Sequence, residues 1–287
     1  MSDGEIAEAS NVAEALRAAT QALASSSDTP RLDAEWLMAA ALATTRSDLL
    51  LNHMRASPPP GFAAMLERRL AHEPVAYILG EQVFFGLTLR VTADVLIPRG
   101  DSEVLVAKAL AAKRDARTVL DCGTGSGALL LAVLSHLPLA RGVGIDRSLA
   151  ALAIAADNAA RLGLTGRARM VSADWRQPEW PRDLGGPFDL ILANPPYVED
   201  DALLDPDVRD HEPAAALFAG PEGLDDYRLL IPQLPSLLAA GGVALVEIGH
   251  TQADAVSAIA EAVGLSHRLH RDLAGRARAL ELCRISI

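Results

Sequence analysis

Apolar positions follow two regimes along this chain. From Ile6 to about Leu70 they recur at helical spacing: an Ala-rich run reaches Ala24, a Ser-Ser-Ser-Asp-Thr-Pro break follows at 25–30, and a second run spans Arg31 to Ala43. A shorter helix around Ser47-Asp48-Leu49-Leu50-Leu51, with Ser47 as its expected cap, and another from Phe62 to Leu70 behind Pro58-Pro59-Pro60-Gly61 complete a bundle of roughly four or five helices. Val83 to Val91 is β-rich around Gly86 and predicts a hairpin. Beyond it, short apolar runs alternate with helical ones. Strands are expected at Thr118–Cys122, Gly142–Ile145, Ala168–Ser172, Phe188–Ala193, Gly241–Glu247, Ser266–Arg271 and Ala279–Ile285. Helices are expected from Ala128 to Leu137, from about Leu224 to Ala239 and from Ala253 to Val263. Such alternation predicts an α/β class with a mostly parallel sheet covered on both faces. The organisation expected is a helical bundle over 1–75, a hairpin linker over 76–95 and an α/β domain over 96–287. Pro98 is expected to end a strand, and Asp101 or Ser102 to cap the helix that follows. The stretch from Tyr197 to Gly223 exceeds an ordinary connection and reads as a loop that shapes a substrate site, with disorder as the alternative.

Composition narrows the class. With 287 residues, half of them hydrophobic, the chain has enough material for an α/β domain of about 190 residues and a small second one. Its apolar stretches, Ala128 to Leu134 among them, fall far short of the roughly 20 residues of a membrane span. The opening Met1-Ser2-Asp3-Gly4-Glu5 is acidic, which argues against a secretory leader. The only cysteines, Cys122 and Cys283, lie in no metal-type spacing, so a reducing cytoplasm is the expected compartment. Seven scattered histidines, including His267 and His270, suggest no metal centre. A net charge of −11 and the lack of a basic stripe argue against direct nucleic-acid binding, and Arg68-Arg69 and Arg276 with Arg278 read as solvated faces or at most small partner contacts.

The candidate chemistry sits at the ends of the expected strands. Asn194-Pro195-Pro196-Tyr197 follows Phe188–Ala193 directly. A planar, conjugated NH2 is a poor nucleophile, and an amide oxygen beside a backbone carbonyl accepts both of its N–H bonds and orients it for attack. Proline fixes φ and removes N–H donors, leaving carbonyls to point at a substrate, and tyrosine adds a flat apolar face. A plain Pro-Pro turn is the simpler alternative. Upstream, Asp121 precedes Gly123-Thr124-Gly125-Ser126-Gly127 and a helix, the design of a nucleotide-type cofactor site. A second strand ends in Asp146, placed for ribose hydroxyls. Because the glycines read G-x-G-x-G, with an acid two positions before the first, the loop suits the amino group and sulfonium of S-adenosylmethionine better than a pyrophosphate. Asp174-Trp175, after the third strand, offers a carboxylate for an adenine amino group and an indole to cover its ring. A turn cap and a core aromatic are the plainer roles for this pair.

These residues resemble the HemK-type protein-glutamine methyltransferases. The likeness runs through the helical bundle, Glu73-Pro74-Val75-Ala76-Tyr77, Ile97-Pro98-Arg99 with Asp101-Ser102-Glu103, the glycine loop, Asp174-Trp175, Asn194-Pro195-Pro196-Tyr197, and Arg209 through Glu212-Pro213. Gly100 stands where the family has a second proline, and Asp210-His211 adds about one residue before Glu212-Pro213. The resemblance implies a Rossmann-like seven-stranded S-adenosylmethionine-dependent methyltransferase domain behind a substrate-docking bundle. The implied reaction is methylation of the glutamine side-chain nitrogen in the Gly-Gly-Gln motif of peptide-chain release factors. Gly123 to Gly127, Asp146, Trp175 and Asn194 would line the cofactor site, and Asn194 to Tyr197 would hold the glutamine. A monomer is expected. The competing readings are an adenine or guanine amino-methyltransferase, which needs a basic surface, a non-catalytic cofactor-binding protein, which predicts damaged motifs, and a nicotinamide oxidoreductase, which needs different glycine spacing.

Overall fold

The computed structural model describes residues 9–285. They form two compact units: one runs to Glu81 and also takes in Leu204–His211, and the other comprises Gln82–Leu203 and the chain from Glu212 onward. The acidic opening segment and Ile6 to Glu8 of the first expected helix lie outside the described residues.

In the first unit, Val12–Leu23 buries Val12, Ala15, Leu16, Ala19 and Leu23 as one helical stripe. Its start is fixed reciprocally: the Asn11 side chain accepts from the Glu14 N–H at 3.0 Å while the Glu14 carboxylate accepts from the Ser10 N–H at 3.0 Å. Helices Pro30–Ala41, Gly61–Leu70 and Val75–Leu79 complete the bundle, with Leu37, Met38 and Phe62 in its core. Thr45, rather than Ser47, caps the short helix Arg46–Asp48, accepting from the Asp48 N–H at 3.1 Å, and the chain continues as a π-helical turn, Leu49–His53. The helix therefore starts one residue before Ser47 and leaves it inside the first turn.

The Arg68-Arg69 pair divides instead of forming one solvated face. Arg68 is bound to Glu73 at 2.5 Å near the surface, whereas Arg69 is buried and reaches Asp33 at 2.8 Å and Asp207 at 2.8 Å. Asp33 also accepts from the Ser27 and Thr29 hydroxyls at 2.7 and 3.0 Å. Asp207 additionally lies 3.1 Å from His72 Nδ1, and His211 Nε2 donates to the Ala71 carbonyl at 3.1 Å, which explains why Leu204–His211 belongs to this unit.

The second unit begins with the hairpin of β1 (Glu81–Phe84) and β2 (Leu87–Arg90). Its seven-stranded sheet is ordered β5-β4-β3-β6-β7-β9-β8, where β3 is Thr118–Cys122, β4 Arg141–Asp146, β5 Ala168–Ser172, β6 Phe188–Ala193, β7 Leu238–Glu247, β8 Leu265–Arg271 and β9 Ala277–Arg284. The pairs among β3 to β7 are parallel, and β9 runs antiparallel between β7 and β8. Both faces are buried: Val119, Leu190, Leu192 and Leu245 join one core, and Leu120, Ile191, Ala193 and Val246 join the other. Helices Ala128–His136 and Ala253–Ala262 fall close to their expected places. The helix expected over Leu224–Ala239 is broken into Asp225–Leu230, a 3-10 turn Ile231–Gln233 and Leu234–Leu237, because Pro232 and Pro235 have no N–H to continue it. No strand occurs at residues 91–99, so Pro98 ends none. Ser102 sits at the N-cap of Glu103–Ala112 without a side-chain cap bond, and Asp101 instead pairs with Arg278 at 2.7 Å. Gly100 opens a 3-10 turn where a Cβ would meet open space, so local packing does not require glycine.

Removing the buried guanidinium leaves the Asp33 carboxylate without its cation. Arg69→Ala is expected to lower the stability of the intact protein's first unit by about 3 kcal/mol. Asp207→Ala, at a more exposed position, should cost less. Urea unfolding followed by circular dichroism measures both.

Candidate active site

The site is built by the pairing of β3 with β6. Cys122 lies opposite Ala193 in their parallel ladder, so the loops that follow leave the sheet side by side. Here strand order turns outward in both directions, the place where open α/β sheets bind ligands. Gly123, Gly125 and Gly127 take φ of 76°, 53° and 83°, values open to glycine and strained for other residues. The turn is tied to β4: the N–H groups of Gly123 and Thr124 donate to the Ile145 carbonyl at 2.9 and 2.8 Å. Asp146 accepts from the Gly125 N–H at 3.0 Å through one oxygen and from the Ser148 N–H at 2.9 Å through the other. This carboxylate therefore braces the turn as well as facing the cavity.

A cavity of about 210 Å³ opens over this junction. Of the residues expected from sequence, Gly123, Thr124, Gly125, Ser126, Asp146, Asp174, Trp175, Asn194 and Pro196 line it, whereas Asp121, Gly127, Pro195 and Tyr197 do not. Asp121 is fully buried beneath the turn and accepts from the Thr124 hydroxyl at 2.6 Å. Burial pushes its carboxyl up to about 7 against the pull of that hydroxyl, with the Asp146 charge adding to the rise. Asp174 accepts from the Arg176 N–H at 2.9 Å, so the turn-cap role and the wall position coexist. The Trp175 indole reaches the glycine turn: a Cβ on Gly123 would lie 3.2 Å from its ring.

Other wall residues carry weaker sequence signals. Arg147 lines the cavity beside Asp146 and donates to the Ala215 carbonyl at 3.0 Å. Pro213, Ala215 and Ala216 bring the long loop to the wall. Asp226, also on the wall, carries no motif that would have revealed it.

Behind Asn194 the motif is held tightly. The Tyr197 N–H donates to the Leu217 carbonyl at 3.1 Å, and the Tyr197 carbonyl accepts from Gln252 Nε2 at 3.0 Å. Gly223, at φ +64°, passes so close that a Cβ would lie 2.3 Å from that carbonyl. Burial, reinforced by the Glu247 charge, pushes the Tyr197 phenol up to about 12, so it stays a donor. Glu247, at the end of β7, is itself pushed up to about 7 by burial, while Ser102, Arg278 and Tyr197 pull it down. Ser102, on the cavity wall, is buried against Glu247, whose Oε2 is buried without a hydrogen-bond partner among the described residues. Arg278 is buried beside them rather than solvated, because Asp101 and Asp272 accept from it at 2.7 and 3.4 Å. Each of the two histidines noted above faces a carboxylate, His267 at 3.4 Å from Glu261 and His270 at 2.8 Å from Glu281. Among the described residues no cluster suits a metal ion, and no helix is long and apolar enough to cross a membrane.

Comparison with known proteins shows which family the chain belongs to. Residues 14–80 match the family described as PrmC N-terminal domain, and residues 100–208 match the methyltransferase small domain. The release factor glutamine methyltransferase of Caulobacter vibrioides is 40% identical over 262 residues, covering 88% of this chain and 89% of its own. That of Cereibacter sphaeroides is 42% identical over 273 residues, covering 93% and 96%. In fold, the crystal structure of a methyltransferase from Pyrococcus furiosus superposes with a TM-score of 0.51 at 16% identity, covering 77% of this chain and 97% of that one.

The buried acid beneath the turn makes stability depend on pH in a defined direction. The Asp121 carboxyl titrates near 7 when folded against 3.8 as its ordinary value. The unfolded chain therefore gives up this proton first, and the group's contribution to stability falls as pH rises from the lower value through the upper. Asp121→Asn keeps an acceptor for Thr124 and removes the titration. Its melting temperature relative to wild type should rise between about pH 5 and about pH 8, as calorimetry at the two values would measure.

Proposed function

We propose, for a chain that belongs to the release factor glutamine methyltransferase family, that it methylates the side-chain amide nitrogen of the Gly-Gly-Gln glutamine in peptide-chain release factors, using S-adenosylmethionine. The observation that carries this reading is the placement of Asn194 beside the glycine turn, on the wall of the same cavity. Asn194 is half-buried on that wall, so its side-chain amide borders the space a ligand would enter. The residues present fit the cofactor. Two glycines with positive φ, Gly123 and Gly125, bring backbone to the cavity, and Asp146, Asp174, Trp175 and Ser102 stand on its wall.

When bound, S-adenosylmethionine supplies a methyl group activated by its sulfonium. The chain's part is to hold the nucleophile. The Asn194 side-chain oxygen and the Pro195 carbonyl accept the two amide N–H bonds, which orients the nitrogen and favours the positive charge that develops on it. Tyr197 supplies the flat face backing the amide plane, its backbone fixed by Leu217 and Gln252. No general base is needed before transfer, because an N-methylated, N-protonated amide is strongly acidic and gives up its proton readily. Positioning and electrostatics supply the rate. The first unit is assigned to docking of the protein substrate, and the protein is assigned to the cytoplasm as a monomer.

Transfer of labelled methyl from S-adenosylmethionine is the direct test, with intact release factor, a Gln→Ala variant of its Gly-Gly-Gln motif, and protein-free RNA and DNA offered side by side. Label on the intact release factor alone supports the proposal, and label on nucleic acid overturns it. Asn194→Ala should keep cofactor affinity within about tenfold and cut turnover by roughly 100-fold or more. An equal loss of both would remove Asn194 from its assigned role.

A further inference from the structure

Trp175 is held at both ends by groups from the segment that follows the long loop. Its indole Nε1 donates to Asp226 Oδ1 at 2.9 Å, and its backbone carbonyl accepts from Gln233 Nε2 at 3.0 Å. Asp226 lines the cavity yet has no exposed surface, and both of its oxygens accept from Arg176 Nη2 at 2.9 Å. At the opposite edge the indole meets the glycine turn, where a Cβ on Gly123 would lie 3.2 Å from it. One carboxylate thus sets the plane of the aromatic wall against the turn and pairs the cation next to it.

An indole N–H in apolar surroundings needs an acceptor, and a ring without one is free to rotate out of its plane. The helix that carries Asp226 has its own anchors: Tyr227 is fully buried with its hydroxyl donating to the Glu247 carbonyl at 2.9 Å, and Leu230 lies in the core. The seat therefore does not depend on the Asp226 bonds, and changes at that carboxylate act on the ring.

We propose that Asp226 is a positioning residue for the cofactor site, fixing the Trp175 indole over the glycine turn before a purine-bearing ligand arrives. The inference rests on the reading of this cavity as an S-adenosylmethionine site. Its effect is on affinity: a ring already in place loses little freedom on binding.

The test uses the full-length protein and reads two quantities, the affinity for S-adenosylhomocysteine by calorimetry and the indole N–H cross-peak of Trp175 in a 1H–15N spectrum, identified by its loss in Trp175→Phe. In Asp226→Ala the cross-peak should move upfield, toward a weaker hydrogen bond, and affinity should fall about tenfold. Asp226→Asn retains an acceptor for the indole and should restore the cross-peak position and most of the affinity, a rescue that general loosening of the fold would not give. Arg176→Ala should leave the cross-peak in place. An unmoved cross-peak in ligand-free Asp226→Ala, or parental affinity in that variant, overturns the proposal. If the parent itself fails to bind the nucleoside, the cofactor reading fails separately, and the ligand-free cross-peak still decides whether Asp226 holds the ring.

Discussion

Where β3 and β6 run side by side, chain continuity leaves no choice about which loops meet. Cys122 faces Ala193, so the residues after each strand emerge as neighbours: a glycine turn on one side and Asn194 with its prolines on the other. A helix after β3 and a connection after β6 diverge to opposite flanks of the sheet, and the crevice between them is the cavity. Every other feature of the site refines this junction. Asp146 and the Ile145 carbonyl brace the turn from β4, and Gln252, Gly223 and Leu217 brace the motif from the far side.

The second theme is charge placed where burial is costly. Asp121, Asp226 and Glu247 are all buried within or beside the site, and each is treated differently. Asp226 is fully paired by Arg176 and Trp175. Asp121 accepts from the Thr124 hydroxyl on one oxygen while the other is buried without a partner among the described residues, and Glu247 likewise keeps an unpartnered oxygen. Burial accordingly raises the titration of the last two. Unmatched buried polar atoms concentrate at functional sites because ligand geometry, not folding, dictates their placement. The first unit uses charge in the ordinary structural way: Arg69 is surrounded by Asp33 and Asp207, and the pairing ties Leu204–His211 into that unit.

Much of the fold was legible from periodicity. The order of strands along the chain, the two-regime organisation and the glycine turn follow from local patterns, which act over a few residues and are written in consecutive positions. Misreadings came where one residue's partner lies far away in sequence. Arg69 and Arg278 read as solvated because nothing nearby reveals Asp33, Asp207, Asp101 or Asp272. That Asp121 lies buried beneath the turn and off the cavity wall was not legible either, because its position in the motif does not say that the turn folds over it. The helix expected over Leu224–Ala239 failed for a local reason instead, since Pro232 and Pro235 were present and apolar spacing was allowed to outweigh them.

The sequence by itself determined which chemical groups are available and at which strand ends they stand, because alternation and turn residues control backbone geometry over short range. Tertiary structure alone decided which of them share a cavity. The crossing from β5 to β6 and the return after the long loop bring Asp226 to Trp175, 51 positions apart, and Glu247 to Tyr197. Hydrogen bonds and burial energies depend on distance in space, and a linear pattern records only distance along the chain.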